Sequence, residues 1–324
     1  MNDYIKTSTY LLNHCGALKA GEKLFLIGDQ TTSDLMEYFV QGAKDLGAHV
    51  EYAVMPAASR HGMEPNDEIA ASMLQADLVA ALTLKSIAHT RARLAFNAVG
   101  GRFLSLPGYS RVLFEDPALL VDYHAQFPLT CSVSEAFTRG SKVRIRTKAG
   151  TDISLNIVGR DGNCCPGFVN EKFGLGSPPD IEANVSPVEE DSEGVVVVDG
   201  SVATEELGLL ETPIILQIRG GRIVRFESDN PEYVRICEEI FTRIRNPLAY
   251  VLAECGVGLN PAAQLTGNML TDEGVLGCVH FGFGSNATVG GKNDVPFHLD
   301  FVFRNASLWV DDMPVLIDGV PVKE

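Results

Sequence analysis

The sequence is poor in positive charge. Lys and Arg number 26 against 42 Asp and Glu, leaving a formal charge of −16. A surface this acidic repels phosphate backbones and anionic lipid, so nucleic acid and membranes are not expected partners. No apolar run reaches the roughly 18–20 residues that a bilayer-spanning helix needs. The opening stretch, MNDYIKTSTYLLNHCGALKAGEK, carries neither a basic leader nor a small-residue cleavage site. It reads as a helix, and a cytoplasmic location is expected. The cysteines, Cys15, Cys131, Cys164, Cys165, Cys237, Cys255 and Cys278, are odd in number and form no C-x-x-C pair. They read as reduced thiols, with a soft-metal site at the adjacent Cys164 and Cys165 as the lesser alternative. No G-x-G-x-x-G follows a strand, so no dinucleotide cradle is expected.

What is present describes a folded chain: 324 residues, 45% hydrophobic and 21% charged, enough for two domains. Strand and helix signals alternate over the first 125 or so residues. KLFLIG (23–28), HVEYAVM (49–55), ADLVAALTL (76–84) and RFLSLPG (102–108) read as strands. SDLMEYFVQGAKDLG (33–47), NDEIAASMLQ (66–75) and HTRARLAFNAVG (89–100) read as the intervening helices. That repetition implies a parallel sheet covered on both faces. From about residue 131 the pattern becomes β-rich. SKVRIRTKAGTDISLNIV (141–158) reads as a hairpin, the Gly/Pro/Asn-rich 159–187 as loop, and PEYVRICEEIFTRIRN (231–246) as an amphipathic helix. GVVVVDGSV, TPIILQIRGGRIVRFES, SLWVDD and PVLIDGVPV supply further strands. The expected class is α/β, with an N-terminal parallel α/β domain (1–130) followed by a β-rich metal-binding domain (131–324).

The chemistry concentrates in LAECGVGLNP (252–261) and TDEGVLGCVHFGFGSNATVGGKNDVPFHLDF (271–301). His298 and Asp300 are two apart on a strand, which points both side chains to one face. His280 lies 18 residues before His298, on another strand, across a loop containing Gly284, Gly290 and Gly291. Glu254 is a further carboxylate. A lone histidine in an apolar strand is ordinarily a satisfied core residue. Two of only seven histidines beside acids in one glycine-dense stretch point instead to a metal site. Asp272 and Glu273 read as a turn or as support behind the ligands. His89 follows a parallel strand, where ligand-contacting groups gather, and is a candidate acid–base residue; the competing reading places it at a helix start beside the cap Thr90. Arg91 and Arg93 read as an exposed helix face or as carboxylate binders. His14, His49, His61 and His124 read as surface or structural residues.

These C-terminal motifs, with DIEANVSPVEEDSEGVVVVDGS (180–201) upstream, resemble the signature of the thermophilic metallo-aminopeptidases, the aminopeptidase T family. SIAHTRARLAFNAVGGRFLSLPG (86–108) echoes it more faintly. The resemblance implies divalent-metal ligands at Glu182, Glu254, His280, His298 and Asp300, with Glu254 bridging two ions or taking a proton. Glu189 or Glu190 could stand in for Glu182. It also implies zinc, manganese or cobalt as the metal, a small-molecule or short-peptide substrate, and a homodimer or larger homo-oligomer. One departure counts against peptide hydrolysis: where the peptidases carry a tyrosine after the first histidine this chain has Ala287, and no tyrosine follows Tyr250. The chain is also shorter than the typical peptidase. Relatives with that fold and this size include Fe(II) ring-cleaving dioxygenases of dihydroxypyridines, for which His280, His298 and Asp300 would form a two-histidine, one-carboxylate triad. The leading expectation is a metal-dependent hydrolase, with Glu254 and His89 catalytic; the alternative is a mononuclear Fe(II) dioxygenase.

Overall fold

A computed structural model describes residues 3–170, 172–204 and 206–322 of the chain. Contacts divide it into two compact units, Met1–Ala125 with Pro166–Pro179 and Gln126–Cys165 with Asp180–Glu324.

The first unit is built on a fully parallel five-stranded sheet. Its strands run in the spatial order His49–Met55, Lys23–Asp29, Leu78–Leu82, Arg102–Ser105 and Leu175–Gly176. Helices Ser33–Asp45, Asp67–Met73 and Arg91–Ala98 connect the first four strands, as the alternating pattern predicts. Local chemistry fixes the helix starts. Asn66 accepts a hydrogen bond from the Ile69 amide at 2.8 Å, and Thr90 accepts one from the Arg93 amide at 3.2 Å. Phe25, Ile27, Val79, Ala81 and Phe103 bury one sheet face against Ile69, Met73 and Phe96.

The second unit contains two antiparallel sheets. The predicted hairpin appears as Lys142–Arg146 paired with Asp152–Asn156, inside an eight-stranded sheet that includes the tail strands Ser307–Val310 and Met313–Ile317. The seven-stranded sheet has the order Gly208–Leu209, Ser201–Val202, His298–Phe303, Val279–Gly284, Leu252–Gly258, Glu182–Val185 and Gly162–Cys165. Two expectations need correction. Residues 159–187 are not all loop: they supply strands Gly162–Cys165, Leu175–Gly176 and Glu182–Val185. Strands of two to four residues among glycines and prolines are too short to show a period. A 17-residue helix, Tyr123–Arg139, also stands where no helix was predicted, because Pro128 interrupts its pattern.

Alternation divides the two faces of the seven-stranded sheet. Phe281, Phe283, Phe301 and Phe303 lie on one face, all fully buried. Helix Pro231–Ile244 covers that face through Phe241, whose ring meets Phe283, Phe297 and Phe301 at centroid distances of 6.5, 5.1 and 6.2 Å. Truncating so central a ring removes apolar burial and leaves a cavity. Phe241→Ala is expected to lower unfolding stability by about 3–5 kcal/mol in urea titrations, whereas a loss below about 1 kcal/mol would show that this contact does not hold the helix.

Candidate metal centre

The opposite face of the same sheet carries the chemistry. Cross-strand register places Glu182 beside Gly258, His280 beside Gly256, and Gly282 between Glu254 and Asp300. Paired residues share a face, so four strands distant in sequence deliver their polar side chains to one place. The His280 Nε2 atom lies 3.0 Å from Glu182 Oε2 and 3.9 Å from Glu254 Oε1. The His298 Nε2 atom lies 3.4 Å from Glu254 Oε2 and 3.2 Å from Asp300 Oδ1. Two groups of ligand atoms result, Glu182–Glu254–His280 and Glu254–His298–Asp300, each within 4.8 Å and sharing Glu254. His280 is sealed at 1% exposure, whereas the His298 side chain is 33% exposed, so the cluster opens to solvent on the His298 side.

Glycines make room for the rings. A Cβ on Gly256 would sit 2.0 Å from His280 Nε2, and one on Gly282 would sit 2.5 Å from His298 Nε2. The imidazoles occupy the volume that any larger residue would fill.

The cluster holds more negative charge than the protein neutralises. Asp180 and Glu273 join Glu182, Glu254 and Asp300, and the ion-pair partners of the latter three are only His280 and His298 among the described residues. Burial and the neighbouring carboxylates push the Asp180 and Glu273 carboxyls well above the usual range. Burial also raises Glu254. Burial alone would depress both imidazoles, but the carboxylates dominate. Glu182 holds His280 well above its ordinary value, and Asp300 pushes His298 up to about 10. Against the burial penalty, His298 holds Asp300 far below the carboxylate range.

These features fit a metal ion. Glu182 Oε2, Asp180 Oδ1 and His280 Nδ1 are buried with no hydrogen-bond partner, and orphaned polar atoms in a native interior call for an ion or water. The Ser285 carbonyl, 2.9 Å from His298 Nδ1, can only accept. The proton therefore sits on Nδ1 in the neutral ring, and the Nε2 lone pair faces the carboxylates. Nitrogen and carboxylate donors suit iron, manganese, cobalt or zinc.

Other predicted residues fall elsewhere. Glu189 is consumed by Arg160, Asn286 and the Lys292 amide, and Glu190 is exposed, so neither takes the place of Glu182. Asp272 binds Ser201 and the Thr266 and Gly267 amides, which makes it a turn residue, whereas Glu273 hydrogen-bonds Asp300. His89 is exposed in the first unit, immediately before the cap Thr90. Arg91 pairs with Glu64, and Arg93 bonds the Ala88 carbonyl and Asn97. His61 accepts from the Ser86 amide. The Cys131 and Cys164 sulfurs lie 3.5 Å apart without a disulfide between them. The sequence reading missed Asp180, Asn184, Gly256, Gly282 and Ser285. Applying the i, i+2 rule to Asp180-x-Glu182-x-Asn184 and Glu254-x-Gly256 would have found three of them.

Residues 3–323 match the family model described as NicX: 2,5-dihydroxypyridine 5,6-dioxygenase. The chain belongs to the NicX family. A curated 2,5-dihydroxypyridine 5,6-dioxygenase of Pseudomonas putida KT2440 is 28% identical over 188 residues, covering 55% of this chain and 53% of that protein. The matched stretch thus spans about half the length of that curated relative. The solved 2,5-dihydroxypyridine dioxygenase of the same organism superposes with a TM-score of 0.84 at 21% identity, covering 100% of this chain and 99% of the other. Wild-type AmpT from Thermus thermophilus superposes with a TM-score of 0.68 at 14% identity, covering 99% of each chain. The fold is therefore shared with the peptidase, while the family is the dioxygenase's. The expected metal-dependent hydrolase is overturned by the NicX match, since the family model and the curated relative are both described as dioxygenases. No helix among the described residues is long and apolar enough to cross a membrane.

Two outcomes follow for the NicX-family centre. Gly256→Ala should cost a measurable share of bound metal after dialysis while the fold persists; full metal content would mean that the His280 ring does not serve the site. The second concerns pH. His298 moves from 6.5 to about 10 in the metal-free protein, so its protonated form stabilises that state fully below about 6.5, a contribution lost as pH climbs through about 10. A metal must displace that proton, so affinity for cobalt or zinc should strengthen steadily as pH rises from neutrality, with proton release seen by calorimetry. A pH-independent affinity would remove His298 from the ligand set.

Proposed function

We propose that this NicX-family chain is an iron(II)-dependent dioxygenase that opens the ring of a hydroxylated pyridine, with the iron held by His280, His298 and Asp300. One observation carries the reading: two donor groups that share Glu254, one with His280 and the other with His298 and Asp300, lie on one sheet face in a chain matched over residues 3–323 by a dioxygenase family. When bound, iron(II) would let a hydroxylated ring and dioxygen react side by side, which requires open positions beside a two-histidine, one-carboxylate set.

The side chains have separable tasks. His298, oriented through its Nδ1–H by the Ser285 carbonyl, presents Nε2 as a donor. Asp300 stays anionic over the working pH range. Glu254 lies between the imidazoles with a carboxyl raised by burial, a setting that suits uptake of a ring-hydroxyl proton at one of its oxygens. Glu182 neutralises His280 on the sealed side. The one-third exposure of His298 gives a planar substrate its way in. His89 is proposed as a second acid–base group, since it follows the carboxyl end of a parallel strand.

Protein purified without oxygen or chelator should contain about one iron per chain and consume one dioxygen per 2,5-dihydroxypyridine added. His298→Ala should abolish both iron retention and oxygen uptake. His89→Ala should slow oxygen uptake at unchanged iron content. Iron-loaded protein that consumes no oxygen with any dihydroxypyridine would sink the proposal.

A further inference from the structure

The Glu182 carboxylate is held by two amide side chains in series. Asn184 Nδ2 donates to Glu182 Oε1 at 2.7 Å and approaches Cys165 Sγ at 3.8 Å. Asn163 Nδ2 donates to Asn184 Oδ1 at 2.8 Å and to the Val289 carbonyl at 3.1 Å. Each amide nitrogen has two protons, and each spends both in this chain. The order therefore has a direction. The Asn184 oxygen must face Asn163, and its nitrogen must face Glu182.

That direction decides what Glu182 can offer. Its Oε1 is occupied by Asn184, while Oε2 lacks a hydrogen-bond partner and points at His280 Nε2, 3.0 Å away. One oxygen is tied back and the other is presented to the cluster. The far end of the series belongs to the same loop that orients His298, because Val289 and Ser285 lie within one turn-rich segment. Asn286 braces that loop against Ser186 and Glu189, and Glu189 also receives the Lys292 amide. One braced loop thus sets a nitrogen donor directly and an oxygen donor through two asparagines.

We propose that Asn184, fixed by Asn163, is a positioning residue of the metal centre, which holds Glu182 as a one-oxygen donor and couples its placement to the loop that orients His298. The inference adds Glu182 Oε2 to the His280, His298 and Asp300 set proposed above; it rests on the metal-centre part of that reading and not on the substrate. Its test therefore uses cobalt(II) alone, without pyridine or dioxygen, so that a failure of the ring-opening reading leaves it standing. Supporting side chains behind metal ligands typically contribute ten- to hundredfold to affinity. Asn184→Ala should weaken cobalt binding by about that factor and alter the visible cobalt spectrum. Built into a Glu182→Gln background, the same change should add less than about twofold, because a residue that acts through Glu182 has nothing left to act on. Asn163→Asp, which keeps the size but loses both donated bonds, should weaken binding in the same direction, and it decides the matter if Asn184→Ala fails to fold. Wild-type affinity and spectrum in Asn184→Ala or Asn163→Asp would overturn the proposal. So would an undiminished Asn184→Ala penalty in the Glu182→Gln background, or a Glu182→Gln protein that binds cobalt as tightly as wild type.

Discussion

Crowding Asp180, Glu182, Glu254, Glu273 and Asp300 onto one buried sheet face is unfavourable unless a cation joins them. In the metal-free chain protons take that part. They load the imidazoles, burial raises several of the carboxyls, and His298 holds its proton up to about 10. The surrounding architecture tolerates this because the opposite face of the sheet is apolar, with Phe281, Phe283, Phe301 and Phe303 all fully buried. Hydrophobic burial on one side offsets the electrostatic cost on the other. The same strands serve both ends, since their side chains alternate between faces.

Geometry at this centre is set by residues that are not candidate ligands. Gly256 and Gly282 leave the volume the imidazoles occupy, and the Ser285 carbonyl chooses the tautomer of His298. The 285–293 loop could flex freely on composition alone, given Gly290 and Gly291. It is instead braced by Asn286 against Ser186 and Glu189, with Arg160 reaching Glu189 and the Gly290 carbonyl. Polar bracing in a loop beside buried donors orients the donor atoms.

Much of this was legible in the residues. The strand–helix alternation of the first 125 or so residues gave the parallel sheet, because each element is long enough to show its period. His298-x-Asp300 and the glycine-rich approach to it marked the cluster, because two residues apart on a strand means one face. Glu182 was reachable only through resemblance: its strand, Glu182–Val185, is four residues long within a stretch of glycines and prolines, and its partners lie across the sheet rather than nearby in sequence. The −16 charge was a poor guide to the site. Five of the 42 acids gather there, and the remainder follow the plainer logic of an acidic surface.

The preference for a hydrolase went wrong for a reason that the donor set itself explains. Carboxylates and imidazoles on one face are what either chemistry requires: a hydrolase needs them to activate water, and a dioxygenase needs them to leave room beside the metal. The superposition with AmpT, at a TM-score of 0.68 and 14% identity, shows that the fold itself is shared. A shared cluster therefore cannot weigh one reaction against the other. At Ala287, exposed in a turn, the aminopeptidase resemblance implies a tyrosine that this chain lacks. That one departure agreed with the family match where the five candidate donors could not decide, because a donor set that holds a metal serves both reactions.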